Sequence, residues 1–352
     1  MYRRVVLASA LRTTLASPVA RVARWLETGR FDGPAARVVA NAHATFARRA
    51  VARPLRVPVR ASDGAPIVTI TVGGATLGGS GRTRVALACA RELADRGAQV
   101  ALIGHAYGAW PGTARVVTAD DALAGVGDEA LACARALAAL PNARVVVGPT
   151  RQSAVDYAAA LAPGVDAIVI DGPLQLAPSR ASLSVLALDA DAPWGAGSVP
   201  PAGDLRAPRD ALLGHADQVV SVDAMPRGAL LDDRWLDLAS LRASLSEGAR
   251  IGLFTALARP DRLVRGLARA GIVASTVVRA VDHGPVTAAH RRRLVDSRVE
   301  LWLATAKCAT HLEGLGLDAP LAILDGSLVL PEVLRRALGA VLLTGDAIRI
   351  TP

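Results

Sequence analysis

The sequence predicts an α/β protein: a parallel sheet flanked by helices, a second and smaller α/β lobe, and a basic helical arm ahead of both. Three observations predict it. From residue 66 onward, short runs rich in Val and Ile alternate with longer Ala- and Leu-rich runs, which is βαβ order. Near residue 224 that alternation ends and a second series begins. The charge is concentrated at the front: residues 1–60 hold twelve Arg against two acids, Glu27 and Asp32, so +10 lies there and the rest of the chain sums to −1 within a net +9.

The arm, 1–60, reads as two or three helical pieces. Val5, Leu7, Leu11 and Leu15 fall near one side, Pro18 breaks the run, and Val19, Val22, Trp25 and Leu26 follow, flanked by Arg3, Arg4, Arg12, Arg21 and Arg24. A basic amphipathic helix suits an anionic membrane surface, with Trp25 at headgroup level. A helix packed on the body with its Arg side chains in water has the same pattern. So does an Arg-rich, acid-poor targeting segment. The body lacks a basic patch with interleaved aromatics, so no nucleic-acid partner is expected. No apolar run is long enough to span a bilayer. Three widely spaced cysteines, Cys89, Cys133 and Cys308, fit a reducing compartment, and Cys89 and Cys133 read as small buried hydrophobes.

"RPLRVPVRASDG" (53–64) reads as a linker into the domain 61–224. Its expected strands are "PIVTITV", "AQVALIG", "ARVVVG", "DAIVID" and "LSVLALD", with helices at "TRVALACARELADRG" and "DEALACARALAAL". The lobe 225–352 supplies strands at "ARIGLFTAL", "VASTVVRAV" and "VELWLAT", and helices at "PDRLVRGLARAG" and "TAAHRRRLVDS".

Between the first strand and its helix lies "ATLGGSGRTR", close to the phosphate-binding loop GxxxxGK[ST]. In such a loop backbone amides hold phosphates, Lys reaches the β and γ oxygens, and Thr or Ser holds Mg²⁺. Here Thr76 stands where the first Gly belongs and Arg82 where Lys belongs, while Gly78, Gly79, Ser80, Gly81 and Thr83 keep the frame. The expected fold is therefore P-loop NTPase-like. A turn with accidental glycines is the plainer alternative for the pattern alone.

The stretch Pro66 to Gly108 resembles the tetraacyldisaccharide 4'-kinase family, whose loop is G-N-x-T-V-G-G-T-G-K-T with Thr at the position of Thr76. The family's S-R-G-Y-G is matched by Gly104-His105-Ala106-Tyr107-Gly108, and its G-D-E-P by Gly127-Asp128-Glu129-Ala130. Its D-D-G-F-Q-H is matched by Ile170-Asp171-Gly172-Pro173-Leu174-Gln175. Its long G-N-G-R-L-L-P-A-G-P-L-R-E-P is matched by the segment Gly195 to Pro208. In the second lobe P-D-H becomes Val281-Asp282-His283, and T-E-K-D becomes Thr305-Ala306-Lys307-Cys308. The resemblance covers about residues 66–310.

The resemblance implies an ATP- and Mg²⁺-dependent kinase that phosphorylates the 4'-hydroxyl of a tetraacyldisaccharide 1-phosphate, a lipid A precursor, at the cytoplasmic face of a bacterial inner membrane. Thr76, Gly78, Gly79, Ser80, Gly81, Arg82 and Thr83 would bind nucleotide. Thr83 and Asp171 would hold Mg²⁺, Arg82 with the loop amides would hold the phosphates, and Asp128 with His283 would position and deprotonate the attacking hydroxyl. On the residues alone, Asp128 reads first as a helix cap and His283 as a loop histidine in water, while Asp171 is equally a strand-end cap. One acid of the family's pair is lost at Ile170. The alternative function is a non-catalytic relative that binds nucleotide or lipid through a degenerate loop.

Overall fold

The computed structural model describes residues 22–61, 64–246 and 248–344. The expected helical pieces carrying Val5, Leu7, Leu11 and Leu15, with Arg3, Arg4, Arg12 and Arg21, lie outside the described residues. The chain forms two compact units.

The first unit comprises Leu26–Asp223 and the chain from Leu328 onward. Its strands are β1 (Ala52–Pro54), β2 (Val68–Gly74), β3 (Val100–Ile103), β4 (Arg115–Val117), β5 (Ala143–Val147), β6 (Ala167–Gly172), β7 (Gln175–Ala177), β8 (Leu183–Asp189) and β9 (Gln218–Val222). Seven form one sheet in the order β4-β5-β3-β6-β2-β8-β9. All neighbours are parallel except β4, which runs antiparallel to β5 at the edge. The β2 sequence Val-Thr-Ile-Thr-Val-Gly-Gly is buried at every position, as a central strand covered on both faces requires.

The two faces hold separate cores. On one, Val85, Cys89 and Leu93 of the helix Arg82–Asp95 meet Leu131 of the helix Asp128–Leu137 and Leu334, Leu338 and Val341 of the helix Glu332–Thr344. On the other, Ala154, Val155 and Ala158 of the helix Arg151–Ala159 cover Ile103, Ile168 and Ile170. The helix Pro34–Arg49 lays an Ala stripe, Ala36, Ala40, Ala44 and Ala47, on a third cluster with Leu174, Leu186 and Leu205. This spacing of four, four and three puts small residues on one helix face.

The second unit comprises Ala224–Ser327 and, of the described residues at the front of the chain, 22–25. Its strands are β10 (Gly228–Leu231), β11 (Arg234–Asp237), β12 (Ile251–Thr255), β13 (Thr276–Arg279), β14 (Leu301–Thr305) and β15 (Leu321–Asp325), in the order β11-β10-β15-β14-β12-β13. The four strands β13, β12, β14 and β15 are parallel, and β10 and β11 add an antiparallel hairpin at one edge. The helices Pro260–Arg269 and Ala288–Asp296 connect the parallel strands, as read from the sequence.

These units differ from the expected division 1–60, 61–224 and 225–352. Residues 34–60 join the first unit because Ala40, Ala47, Val51 and Leu55 are buried in its cores. The expected linker contains β1, which pairs in parallel with β7. The last helix also belongs to the first unit, through Leu334, Leu338 and Val341.

Candidate active site

β2 runs into the loop Ala75 to Gly81, and the helix Arg82–Asp95 begins at once. Gly79 and Gly81 take φ of +70° and +76°, a left-handed backbone that favours glycine. A Cβ on Gly81 would also lie 2.5 Å from Val222 Cγ1. Thr76 is buried and donates from Oγ1 to the Gly78 carbonyl at 2.8 Å. Ser80 is buried against Gly74, where a Cβ would lie 2.0 Å from Ser80 Oγ. The first turn of the following helix carries no acid, so its amide end keeps its partial positive charge for an anion.

The Gly195–Pro208 segment braces this loop. Thr76 bridges to Leu205, Leu77 N donates to Asp204 O at 2.9 Å, and Arg206 N donates to Ala75 O at 2.8 Å. The Arg206 guanidinium then donates from Nε to Thr76 O at 2.7 Å and from Nη2 to Leu77 O at 3.1 Å. The segment is cinched by Asp204, whose Oδ1 accepts from Ala196 N at 2.9 Å. Only a residue without a side chain fits at Gly195: its φ is +51°, and a Cβ would lie 2.1 Å from that oxygen.

Asp171 lies at the end of β6, beside β2, in register with Val72. Strand alternation sends it to the same face as Val169, toward the helix Arg82–Asp95. Ile170 points the other way into the apolar core with Ile103 and Val155. Thr83 Oγ1 donates to Asp171 Oδ2 at 2.7 Å. Arg82 Nε lies 2.9 Å from Asp171 Oδ1, with side-chain exposures of 15% and 3%. The proximity of Asp171 raises the Arg82 pKa, opposed by burial and assisted by Glu129. That contact is not aligned as a hydrogen bond, and the buried Asp171 Oδ1 accepts none.

Arg151 closes on the same place. It is the first residue of its helix, which is capped by Thr150 and Ser153. Its Nη2 donates to the Asp171 carbonyl at 3.3 Å. Gly172, at φ +129°, makes room for it, since a Cβ there would lie 2.6 Å from Nη2. Burial lowers the Arg151 pKa, and burial followed by the nearby Arg82 pushes Arg206 down to about 10. Both remain charged at neutral pH. Arg82 thus pairs with the Asp171 carboxylate, Arg151 with its carbonyl, and Arg206 with the carbonyls of the loop, a set of cations suited to an anion.

Asp128 is the first residue of its helix, not the cap. Gly127 is the cap residue, at φ +87°, where a Cβ would lie 3.1 Å from the Tyr107 carbonyl oxygen. Asp128 is buried, and its Oδ1 accepts from Glu129 N at 2.8 Å. The preceding Gly104–Gly108 stretch stacks His105 on Tyr107 with ring centroids 4.0 Å apart.

His283 belongs to the second unit and has φ +55° in a tight turn closed by Gly284 N to Val281 O at 2.7 Å. Lys307 Nζ donates to Asp282 Oδ1 at 2.8 Å and lies 3.3 Å from His283 Nε2. Cys308, where the family pattern has Asp, accepts from Ala256 N through Sγ at 3.2 Å. Gln175 proves to be a structural residue. Its Oε1 accepts from Leu176 N and Ala181 N at 2.9 and 2.7 Å, and its Nε2 donates to Ser184 Oγ at 2.6 Å.

Sequence reading named the loop, Asp171 and Asp128 as candidates, and the structure sets Arg82 and Thr83 of the loop beside Asp171. It assigned no role to Arg206 within a segment it had matched, nor to Arg151, for which the only signal was a Thr-Arg-x-Ser helix start.

The family model for tetraacyldisaccharide-1-P 4'-kinase matches residues 37–342. The chain belongs to the tetraacyldisaccharide 4'-kinase family. A tetraacyldisaccharide 4'-kinase of Anaeromyxobacter sp. strain K is 33% identical, over 74% of this chain and 74% of its own. One of Methylobacterium radiotolerans is 33% identical over 78% of this chain and 84% of its own. Among solved structures, LpxK from Aquifex aeolicus, crystallised in an "apo" form in complex with ATP, is similar with a TM-score of 0.61. It covers 93% of this chain and 99% of that one at 18% identity, and shows the shared fold. Within the tetraacyldisaccharide 4'-kinase family pattern, this chain's departures at Arg82 and Ile170 leave the loop, its brace and Asp171 assembled.

Proposed function

We propose that this protein transfers the γ-phosphoryl group of ATP to the 4'-hydroxyl of a tetraacyldisaccharide 1-phosphate. The observation that carries this reading is the convergence of Arg82, Arg151 and Arg206 on a braced phosphate loop beside Thr83 and Asp171. Family membership supplies the acceptor class.

The donor set fits Mg²⁺: a hydroxyl next to a carboxylate whose Oδ1 is buried and accepts no hydrogen bond. No cluster of three or more His, Cys, Asp or Glu occurs among the described residues, as suits an ion that keeps water and phosphate oxygens as ligands. Mg²⁺ held by Thr83 and Asp171 would neutralise charge on the phosphates. The loop amides hold the phosphate oxygens, and Arg82 and Arg151 offset the charge that develops on them. Asp128, with His283, orients the sugar hydroxyl and takes its proton as the new O–P bond forms. The bond from the γ phosphorus to the bridging oxygen breaks, and ADP leaves with that electron pair.

The acceptor is a lipid, and the helix Pro34–Arg49 suits its surface. Opposite the Ala stripe, Val38, Val39 and Phe46 are exposed beside Arg49. An apolar depression next to it is lined by Phe31, Pro34, Ala36 and Pro201. We assign this face and the basic N-terminal arm to the anionic leaflet on the cytoplasmic side of a bacterial inner membrane. Among the described residues no helix is long and apolar enough to cross a membrane.

The deciding experiment gives the purified chain γ-labelled ATP, Mg²⁺ and the lipid disaccharide 1-phosphate, with Asp128→Ala as control. Label in the 4'-phosphate from the wild type and not the variant is the expected result. ATP binding with no transfer to any acyl form of the disaccharide overturns the reading.

A further inference from the structure

Lys307 is the single lysine of a chain whose other thirty-nine such basic residues are Arg. Even the loop position normally given to Lys is Arg82. The site that keeps Lys is therefore one where a compact ammonium matters, since it aims three protons from a point while a guanidinium is a planar fork.

The structure shows what surrounds it. β14 leads directly into the short helix Ala306–Ala309, and Thr310 Oγ1 donates to the Lys307 carbonyl at 2.7 Å, so the Lys307 backbone is fixed. Its Nζ lies 2.8 Å from Asp282 Oδ1 and 3.3 Å from His283 Nε2, and its side chain is only 14% exposed. An ammonium has donors and no acceptor. A hydrogen bond from Nζ to Nε2 therefore requires Nε2 to carry a lone pair. Asp282 Oδ2 also lies near Nε2, at 3.5 Å, and that contact would instead require a proton on Nε2. The two arrangements exclude each other. The shorter one wins here, because Asp282 already anchors Lys307 from its other side.

We propose that Lys307 is a positioning residue that fixes His283 as the neutral tautomer with its proton on Nδ1. His283 then serves the transfer as a hydrogen-bond donor, and the proton of the sugar hydroxyl goes to the Asp128 carboxylate. This rests on the reading that His283 serves the 4'-hydroxyl. The left-handed backbone of His283 is consistent with a ring held in one required orientation at a functional turn.

The test is long-range ¹⁵N–¹H correlation on the full chain labelled with ¹⁵N-histidine, near neutral pH, with the His283 signals assigned from His283→Gln. The wild type is expected to show a pyridine-like Nε2 and a protonated Nδ1. Lys307→Met is expected to lose that preference and to lower kcat by roughly 10- to 100-fold with KM for ATP unchanged. Lys307→Arg is expected to restore neither. A protonated Nε2 in the wild type overturns the proposal. So does a Lys307→Met protein that keeps both the tautomer and kcat. The wild-type spectrum requires no kinase turnover, so its outcome is separate from the fate of the kinase reading.

Discussion

Arg82 and Asp171 form a buried ion pair across the mouth of the phosphate loop, with Nε 2.9 Å from Oδ1. The charge suited to phosphate thus rests on the acid suited to the metal. Mg²⁺ and phosphate arriving together satisfy both partners; either alone leaves one of them unmatched. Arg82→Lys is expected to keep or raise turnover. Arg82→Ala is expected to lower it by roughly two to three orders of magnitude, as for loss of one well-placed donor, and to weaken ATP binding. Asp171→Asn leaves a buried guanidinium without its counter-charge and should destabilise the fold by about 3 kcal/mol. Calorimetric titration of ATP with and without Mg²⁺ checks the pairing. An Arg82→Ala protein that binds Mg·ATP as the wild type does removes Arg82 from the phosphate site.

The turn at Gly81 makes a separate prediction. Ala there meets a left-handed φ of +76° and a Cβ 2.5 Å from Val222 Cγ1. Gly97 has a φ of +91° with nothing within 4 Å, so Gly97→Ala carries the backbone strain alone. Gly97→Ala should cost about 1–2 kcal/mol. Gly81→Ala should cost more and also weaken ATP binding. Thermal melts of the two variants side by side check this; equal shifts with unchanged ATP affinity refute it.

Much of this architecture was legible in the sequence because period and punctuation carry it. The β-branched run of β2, its glycines and the Ala-rich helix after it specify a parallel strand, a phosphate turn and a cover. What was not legible depends on distant packing. Nothing local in "RPLRVPV" says that Ala52–Pro54 pairs with Gln175–Ala177. Nothing local assigns the helix Glu332–Thr344 to the first unit, since an apolar face does not name its partner. The β10–β11 hairpin went unread because its turn is Asp232-Asp233, at φ +48° and +59°, where the strong signal is Asn-Gly or Asp-Gly. Arg206 was visible in its motif, but its role lies in two carbonyls some 130 positions earlier in the chain.

The outer face of the helix Pro34–Arg49 predicts salt-sensitive lipid binding. Val39 and Phe46 are seven positions apart on one exposed side. Replacing both with Asp should reduce co-sedimentation with vesicles containing anionic lipid while leaving the melting temperature nearly unchanged. Raising salt should weaken wild-type binding as the Debye length shortens. Binding indifferent to salt, lipid charge and these two residues counts against the membrane assignment.

Asp128 and His283 predict a coupled loss. Asp128→Asn and His283→Ala should each lower turnover by roughly 10²- to 10⁴-fold with little change in ATP affinity, as for a general base and its partner. Groups that act as a unit are not additive, so the double variant should be hardly worse than the worse single one. Fully additive losses in a steady-state assay, or full turnover in either single variant, break the pair.

Arg206 separates what orders the loop from what stabilises the fold. Its two bonds to Thr76 O and Leu77 O tie the loop to the Gly195–Pro208 segment. Hydrogen bonds to a charged donor are worth about 1.5–3 kcal/mol each. Against them stands the burial of a cation beside Arg82, the two largest causes that push the Arg206 pKa down to about 10. Arg206→Met keeps the apolar stem, removes both bonds and relieves that burial. The opposing effects should leave the denaturation midpoint close to that of the wild type. ATP affinity has no such compensation: the loop loses its brace and the site loses one of three cations. It should fall by roughly 10- to 100-fold, about 1.4–2.8 kcal/mol. Arg206→Lys, which keeps the charge but can bond to only one carbonyl well, should fall between. Titration of ATP into the three proteins, with urea melts alongside, decides the point. If Arg206→Met binds ATP like the wild type, the loop holds its shape without Arg206. If stability and affinity fall together, Arg206 is a structural residue first.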